Sequence, residues 1–182
     1  MNKLLAALLI SLVPALAYAG LPDLKTDDLK GKVQKQAEGK ARAKGNEKVA
    51  AQVSKRLLKE SRKNQCSFKS GTEQIENEKA CAGKSKKLAN EIIDVKKYLQ
   101  SQGYGGFKFV VTGHTDSSGD PAKNKDLSQR RAQVMVNELV AKGVDKGDIE
   151  ALGMGSERML VKPDNTPAKK AKNRRYEVEV RF

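Results

Sequence analysis

The chain has 182 residues, room for one ordinary domain plus an extension, and carries 36 Lys and Arg against 22 Asp and Glu, a net charge of +14. Such an excess favours an anionic partner, although a solvated charged surface produces it as well. With no Trp and 4 Phe there is little from which to build a base-stacking platform, so nucleic acid is not an expected partner.

The first 19 residues, "MNKLLAALLISLVPALAYA", place Lys3 ahead of an apolar run and Ala17-Tyr18-Ala19 ahead of Gly20. That is the layout of a secretory signal peptide. The run is short for a span, which needs about 20 apolar residues, and Pro14 interrupts it. Residue 20 is Gly, not Cys, so the lipid-attachment pattern of a lipoprotein is missing. No later stretch is apolar for long enough to cross a bilayer, so no transmembrane segment is expected after cleavage. An exported chain with two cysteines, Cys66 and Cys81, suggests one disulfide. Closing a loop of about 15 residues contributes roughly 3 kcal/mol in the chain-entropy picture.

Residues 20–64 form a basic, helix-prone arm or linker. Gly20 to Gln65 holds 13 basic and 6 acidic side chains, a net +7. Leu29, Val33, Ala37 and Ala41 recur at helical spacing, as do Ala50, Val53 and Leu57. Gly31, Gly39 and Gly45 weaken a continuous helix, so broken or marginal helix is expected, as a mobile spacer or an interaction arm.

A domain over residues 65–182 follows. "QCSFKSG" reads as a short strand and turn, and Glu73 to Gln100 has a helical period ended by "GYGG". "FKFVVTG" alternates and is a strand. Asp120 caps a second helix that begins with Pro121 and stops at Gly143. "IEALGMG" and the terminal "RRYEVEVRF" are further strands, separated by a polar loop, Ser156 to Asn173, with a helical piece at "PAKKAKN". The expected class is α+β: a βαβαβ-type sandwich with one mixed four-stranded sheet and helices packed on one face.

The second helix poses the functional question. Leu127, Ala132, Val134, Met135, Val136, Leu139 and Val140 cover a wide apolar arc at 100° per residue. Arg130 falls on the solvated face, but Arg131 falls inside the arc, on the same stripe as Asn124. An inward guanidinium without a partner costs several kcal/mol, roughly, in desolvation. Asp116, where the preceding strand ends, is the nearest candidate in sequence. Two arrangements fit: a structural Asp116–Arg131 bridge, or a split pair that takes the ammonium and the carboxylate of one zwitterion.

"VVTGHTDSSGDPAKNKDLSQRRAQVMVNELVAKGV", then "IEALGMGSE", then "NRRYEVEV", resemble the OmpA-like peptidoglycan-binding domain in order and spacing over Val110 to Val180, and "CSFKSGTEQI" resembles its first strand and loop. The resemblance implies non-covalent binding of peptidoglycan through the diaminopimelate of its stem peptide. It assigns ligand contact to Asp116 and Arg131, with Asn124, Leu127, Arg174 and Arg175 in support and Thr115 and Ser118 beside them. Strand alternation would turn Arg174 and Arg175 to opposite faces, so one of the two is expected at the site. Diaminopimelate carries an amine and a carboxylate on one carbon, which suits the split pair. The Pro that usually follows G.G.E is absent, and Met159 and Leu160 stand there. Cys66 and Cys81 lie outside the signature.

Catalysis is not expected, because the single His, His114, has no recognisable nucleophile turn near it and cannot complete a metal site that needs four ligands. No cofactor or metal is expected. The composite expectation is a free-standing periplasmic protein, associated with the outer membrane or cell wall, whose domain grips peptidoglycan while the arm engages an envelope protein. The alternative is an interaction module of a secretion, motor or outer-membrane complex without wall binding.

Overall fold

The computed structural model describes residues 26–182, with side chains from Gly45 onward. The expected signal peptide, 1–19, lies outside the described residues. Helix α1 (Thr26–Lys63) runs without interruption through Gly31, Gly39 and Gly45. The expected breaks are absent: each Gly costs about 1 kcal/mol against Ala, and the surrounding Ala, Lys, Gln and Glu are strong helix formers. Ala43–Phe182 forms one compact unit, so the boundary expected between residues 64 and 65 falls inside packed structure. Val53 and Leu57 reach its core.

Helix α2 (Glu78–Ser101) starts later than its apolar period suggests, because Asn77 caps it by accepting from the Ala80 amide at 2.9 Å. Strand β1 (Lys108–His114) leads into α3 (Pro121–Ala141), capped by Asp120, which accepts from the Lys123 amide at 2.8 Å. A 3-10 turn precedes β2 (Ile149–Gly153). The short α4 (Pro167–Asn173) precedes β3 (Arg175–Arg181).

The sheet order is β2-β1-β3, with β1 parallel to β2 and antiparallel to β3. Phe109, Val111, Val178 and Val180 pack on Leu88, Ile92 and Leu99 of α2 and on Met135 and Leu139 of α3. The other face carries the buried Val110 beside Thr112, His114, Glu177 and Glu179, and Arg158, in the loop after β2, reaches Glu179 at 3.3 Å. Helices therefore cover one face, as expected.

The expected fourth strand does not form. Residues 66–76 close on themselves as a hairpin with a single bridge, Phe68 to Ile75, held by Lys69 N to Gln74 O and Glu76 N to Ser67 O, both 2.9 Å. The outer edge of β3 is taken by side chains around the end of α1. Ser54 Oγ accepts from Val180 N at 3.0 Å, Ser61 Oγ accepts from Val178 N at 3.3 Å, and Gln65 both accepts from Tyr176 N at 3.0 Å and donates to Tyr176 O at 2.7 Å. An unpaired edge is a template for unwanted strand addition, and covering it removes that hazard. Cys66 and Cys81 are joined in a disulfide with Cα atoms 5.0 Å apart, tying the hairpin's base to the first turn of α2.

Two glycines let the sheet meet α3 backbone to backbone. A Cβ on Gly113 would sit on the Ser128 carbonyl oxygen. One on Gly153 would lie 2.6 Å from both Gln129 N and Lys125 O. This close approach fixes the height of α3 against the end of β1, which is where the candidate site is.

Candidate functional site

Beyond the C-terminal end of β1 the chain turns through Thr115, Asp116 and Ser118 into the N-terminus of α3. Asn124 Nδ2 donates to Ser118 O at 2.8 Å and holds this turn. An open cavity of about 1030 Å³ lies here. Asp116, Thr115 and Ser118 line it from the turn, and Asn124, Leu127 and Arg131 from α3. Arg174 and Arg175 line it from the start of β3. All eight candidate residues thus face one space. Both arginines reach it because Arg174 caps α4 with φ −73° and ψ 91° and is not yet part of the strand, so strand alternation does not separate the pair.

The partners are not those the sequence suggests. Asp116 does not bridge to Arg131. Its Oδ2 accepts from Arg174 Nη1 at 2.7 Å and its Oδ1 from Ser118 N at 2.9 Å. Burial pushes the Asp116 carboxyl up, but Arg174 and Ser118 outweigh it and hold the group below the usual carboxylate range. Arg131 donates from Nε to Thr72 O at 2.8 Å and from Nη2 to Lys69 O at 3.2 Å, and its guanidinium carbon lies 5.1 Å from the centre of the Phe68 ring. Arg131 is 8% exposed, and among the described residues no carboxylate stands within 4.0 Å of it. Burial, and then repulsion from Arg174, lower its pKa from the ordinary value. Arg130 is solvated, as expected, and pairs with Asp126 and Glu73.

Arg175 is withdrawn into a second cluster. Its Nε donates to Glu177 Oε1 at 2.8 Å, and Arg62 reaches the same oxygen. Burial pushes Glu177 up, but the two guanidinium groups bring it below the usual range. His114 Nε2 lies 3.2 Å from Thr112 Oγ1 and 3.6 Å from Glu177 Oε2. Burial first, then the Arg175 guanidinium, push His114 down to about 4 against the pull of Glu177.

That shift has a pH consequence. The folded His114 stays neutral where an unfolded one, near 6.5, takes up a proton. Its contribution is complete above the unfolded value and is lost as pH falls from there toward 4. Between pH 7 and pH 5 the loss should be about 2 kcal/mol. Urea midpoints at the two pH values should differ clearly in the wild type and much less in His114→Gln. Equal differences in both proteins would contradict this origin.

Residues outside the candidate set also shape the site. Asp164 accepts from Ser117 N at 3.0 Å, from the Ser117 hydroxyl, and from Asn173 Nδ2 at 3.0 Å, and these bonds bring its pKa down to about 2. It thereby joins the turn carrying Asp116 to the segment carrying Arg174. Asn173, fully buried, also accepts from the Leu160 and Val161 amides. Asn173 opens the "NRR" motif, which is the sequence signal that could find it. Asp164 has no periodic or motif signal. Among the described residues no cluster of His, Cys, Asp and Glu could hold a metal ion, and no helix is long and apolar enough to cross a membrane.

A mixed sheet with helices on one face, and a cavity lined by Arg131, Arg174 and Arg175 where β1 meets the start of α3, define an α+β domain with a basic cavity at the end of its central strand. The chain belongs to the OmpA family, whose family model matches residues 67–174. It is 41% identical over 103 residues to outer membrane porin F of Pseudomonas aeruginosa, covering 53% of this chain and 28% of that one. It is 42% identical over 80 residues to outer membrane protein A of Klebsiella pneumoniae, covering 40% and 23%. It is 37% identical over 73 residues to the peptidoglycan-binding protein ArfA of Mycobacterium bovis, covering 40% and 22%. The chain therefore spans about a quarter of the length of these relatives. The periplasmic domain of Helicobacter pylori MotB shares the fold, with a TM-score of 0.52 at 18% identity over 64% of this chain and 68% of that one.

Proposed function

We propose that the protein binds peptidoglycan non-covalently in the periplasm, through the zwitterionic end of diaminopimelate, and so anchors an envelope component to the cell wall. The observation that carries this reading is Arg131: a buried guanidinium held by two backbone carbonyls, with no carboxylate beside it among the described residues. Its remaining donors and those of Arg174 outnumber Asp116, the one carboxylate within 4.0 Å of either guanidinium among the described residues. A ligand carboxylate between Arg131 and Arg174 restores the balance, bidentate on Arg131, while the ligand ammonium lies against Asp116. Leu127 supplies an apolar wall for the aliphatic chain between the two ends of diaminopimelate. The peptidoglycan-binding relative ArfA points the same way. The strongly basic arm, residues 20–64, is the part we assign to an envelope protein partner.

The test is co-sedimentation of the purified protein with isolated sacculi across a salt series, beside Asp116→Ala and Arg131→Ala. Attraction by net charge alone fades steeply as salt rises, whereas a pocketed zwitterion persists. Retention at high salt that both substitutions remove supports the reading. Retention that salt abolishes, or that the substitutions leave unchanged, redirects it to a protein-interaction module of an envelope complex.

A further inference from the structure

Among the described residues, the groups that hold the Arg131 guanidinium all belong to the hairpin of residues 66–76, and none belongs to α3, which carries Arg131. The Phe68 ring, the Lys69 carbonyl and the Thr72 carbonyl are its partners. The hairpin is a weak structure taken alone: one bridge with two cross-strand backbone bonds, a turn bond from Thr72 N to Lys69 O at 3.2 Å, an exposed Lys69–Gln74 side-chain bond and an exposed tip at Ser70 and Gly71. Isolated two-stranded hairpins are marginal in water. Its side contact to α3, Glu73 with Arg130 at 3.3 Å, is solvent-exposed and contributes little. Phe68 and Ile75 rest half-buried against the main core, and the covalent and fully buried attachments are at the base. Cys66 N donates to Tyr176 Oη at 3.2 Å, and Cys66 is bonded to Cys81 in the first turn of α2. Cys66 itself lines the cavity.

We propose that the Cys66–Cys81 disulfide is a positioning element of the ligand site: by pinning the base of the hairpin it fixes the carbonyls that aim Arg131, so the oxidised protein is the form that binds tightly. The inference rests on the reading that Arg131 receives the ligand carboxylate. Reduction by a dithiol breaks the S–S bond with two electrons. Each sulfur takes one proton, and the reductant closes to its own cyclic disulfide. The freed hairpin then lets the guanidinium sample several rotamers, and the bidentate geometry is no longer prepared in advance.

The experiment follows the Arg131 Nε–H group by NMR in oxidised, reduced and reoxidised protein, and titrates each with meso-diaminopimelate. The resonance is assigned by its loss in Arg131→Lys. In the oxidised protein it should be protected from exchange by the Thr72 carbonyl. On reduction it should broaden, and affinity should fall on the order of ten-fold, with one charge-assisted pair losing its fixed geometry. Reoxidation should restore both, and Cys66→Ser with Cys81→Ser should match the reduced state. The sheet amides of Val111 and Val178 serve as the fold control. If reduction unfolds the sheet, Phe68→Ala with the disulfide intact is the second variant, and it should weaken the same signal and the same affinity.

An unchanged Nε–H signal and affinity, in a chain whose mass has risen by two hydrogens, would overturn the proposal. So would a Phe68→Ala protein that binds like the wild type. A signal lost on reduction in a protein that binds no diaminopimelate even when oxidised would uphold the positioning and sink the ligand reading alone.

Discussion

Gly153→Ala should lower the unfolding free energy by about 3 kcal/mol, the upper end of the usual cost of overpacking a tight contact. The added methyl group would stand 2.6 Å from Gln129 N and from Lys125 O, both backbone atoms in the N-terminal half of α3. No side chain can move to admit it, so either β2 or the helix must retreat. Two residues of the proposed ligand site, Asn124 and Leu127, lie on the same stretch of α3, and the retreat should weaken binding as well. Gly83→Ala is the contrasting case. Gly83 is exposed in α2 with nothing near its Cβ position, so the same chemical change should stabilise by roughly 0.5–1 kcal/mol. Urea denaturation should show the two midpoints moving in opposite directions at similar slopes. A Gly153→Ala midpoint equal to wild type would mean that strand and helix are not in backbone contact.

Arg131→Leu should separate stability from function. The guanidinium is desolvated, repelled by Arg174 and, among the described residues, without a carboxylate partner, so the shorter apolar leucine, which gives up the contact with Phe68 but removes the buried charge, should leave stability unchanged or raise it by about 1 kcal/mol. The two carbonyls it serves, on Lys69 and Thr72, sit on an exposed hairpin where water can replace the lost donors. Ligand binding should fall at least about a hundred-fold, the cost of removing one partner from a buried charge pair. Paired denaturation and binding measurements read both quantities. Loss of stability equal to the loss of binding would mark Arg131 as a structural group. The opposite signs expected here are the signature of a site that keeps a strained charge for a ligand.

Much of this site is legible in the sequence because helical period is local. Asn124 and Arg131, seven residues apart, fall on one stripe, and Pro121 after Asp120 marks where that stripe begins. The ordered motifs add Asp116 and the Arg174-Arg175 pair. The wiring between them is not legible. Arg174 reaches Asp116 only because the loop of residues 156–173 is folded back by Asp164 and Asn173, a long-range arrangement with no periodic signature. The hairpin that holds Arg131 uses backbone carbonyls, which every residue possesses and no sequence advertises.

The same distinction explains the fold differences. Val53 and Leu57 announce a buried stripe on α1, but Ser54 and Ser61 look like solvent residues and in fact close the edge of β3. With that edge occupied, the segment expected as a fourth strand closes on itself. Three glycines suggest a broken arm, yet each is a modest local penalty, and the helix around them is long enough to absorb it.

In the proposed complex one cavity holds a zwitterion between Asp116 and the guanidinium pair of Arg131 and Arg174. Calorimetric titration of the purified protein with meso-diaminopimelate, repeated at low and high salt, tests it most directly. Saturable one-to-one binding that survives high salt, and that Asp116→Ala removes with the circular dichroism spectrum unchanged, is the predicted result. No saturable binding, or binding that vanishes with salt, would contradict it and leave the cavity as a charged surface without that ligand.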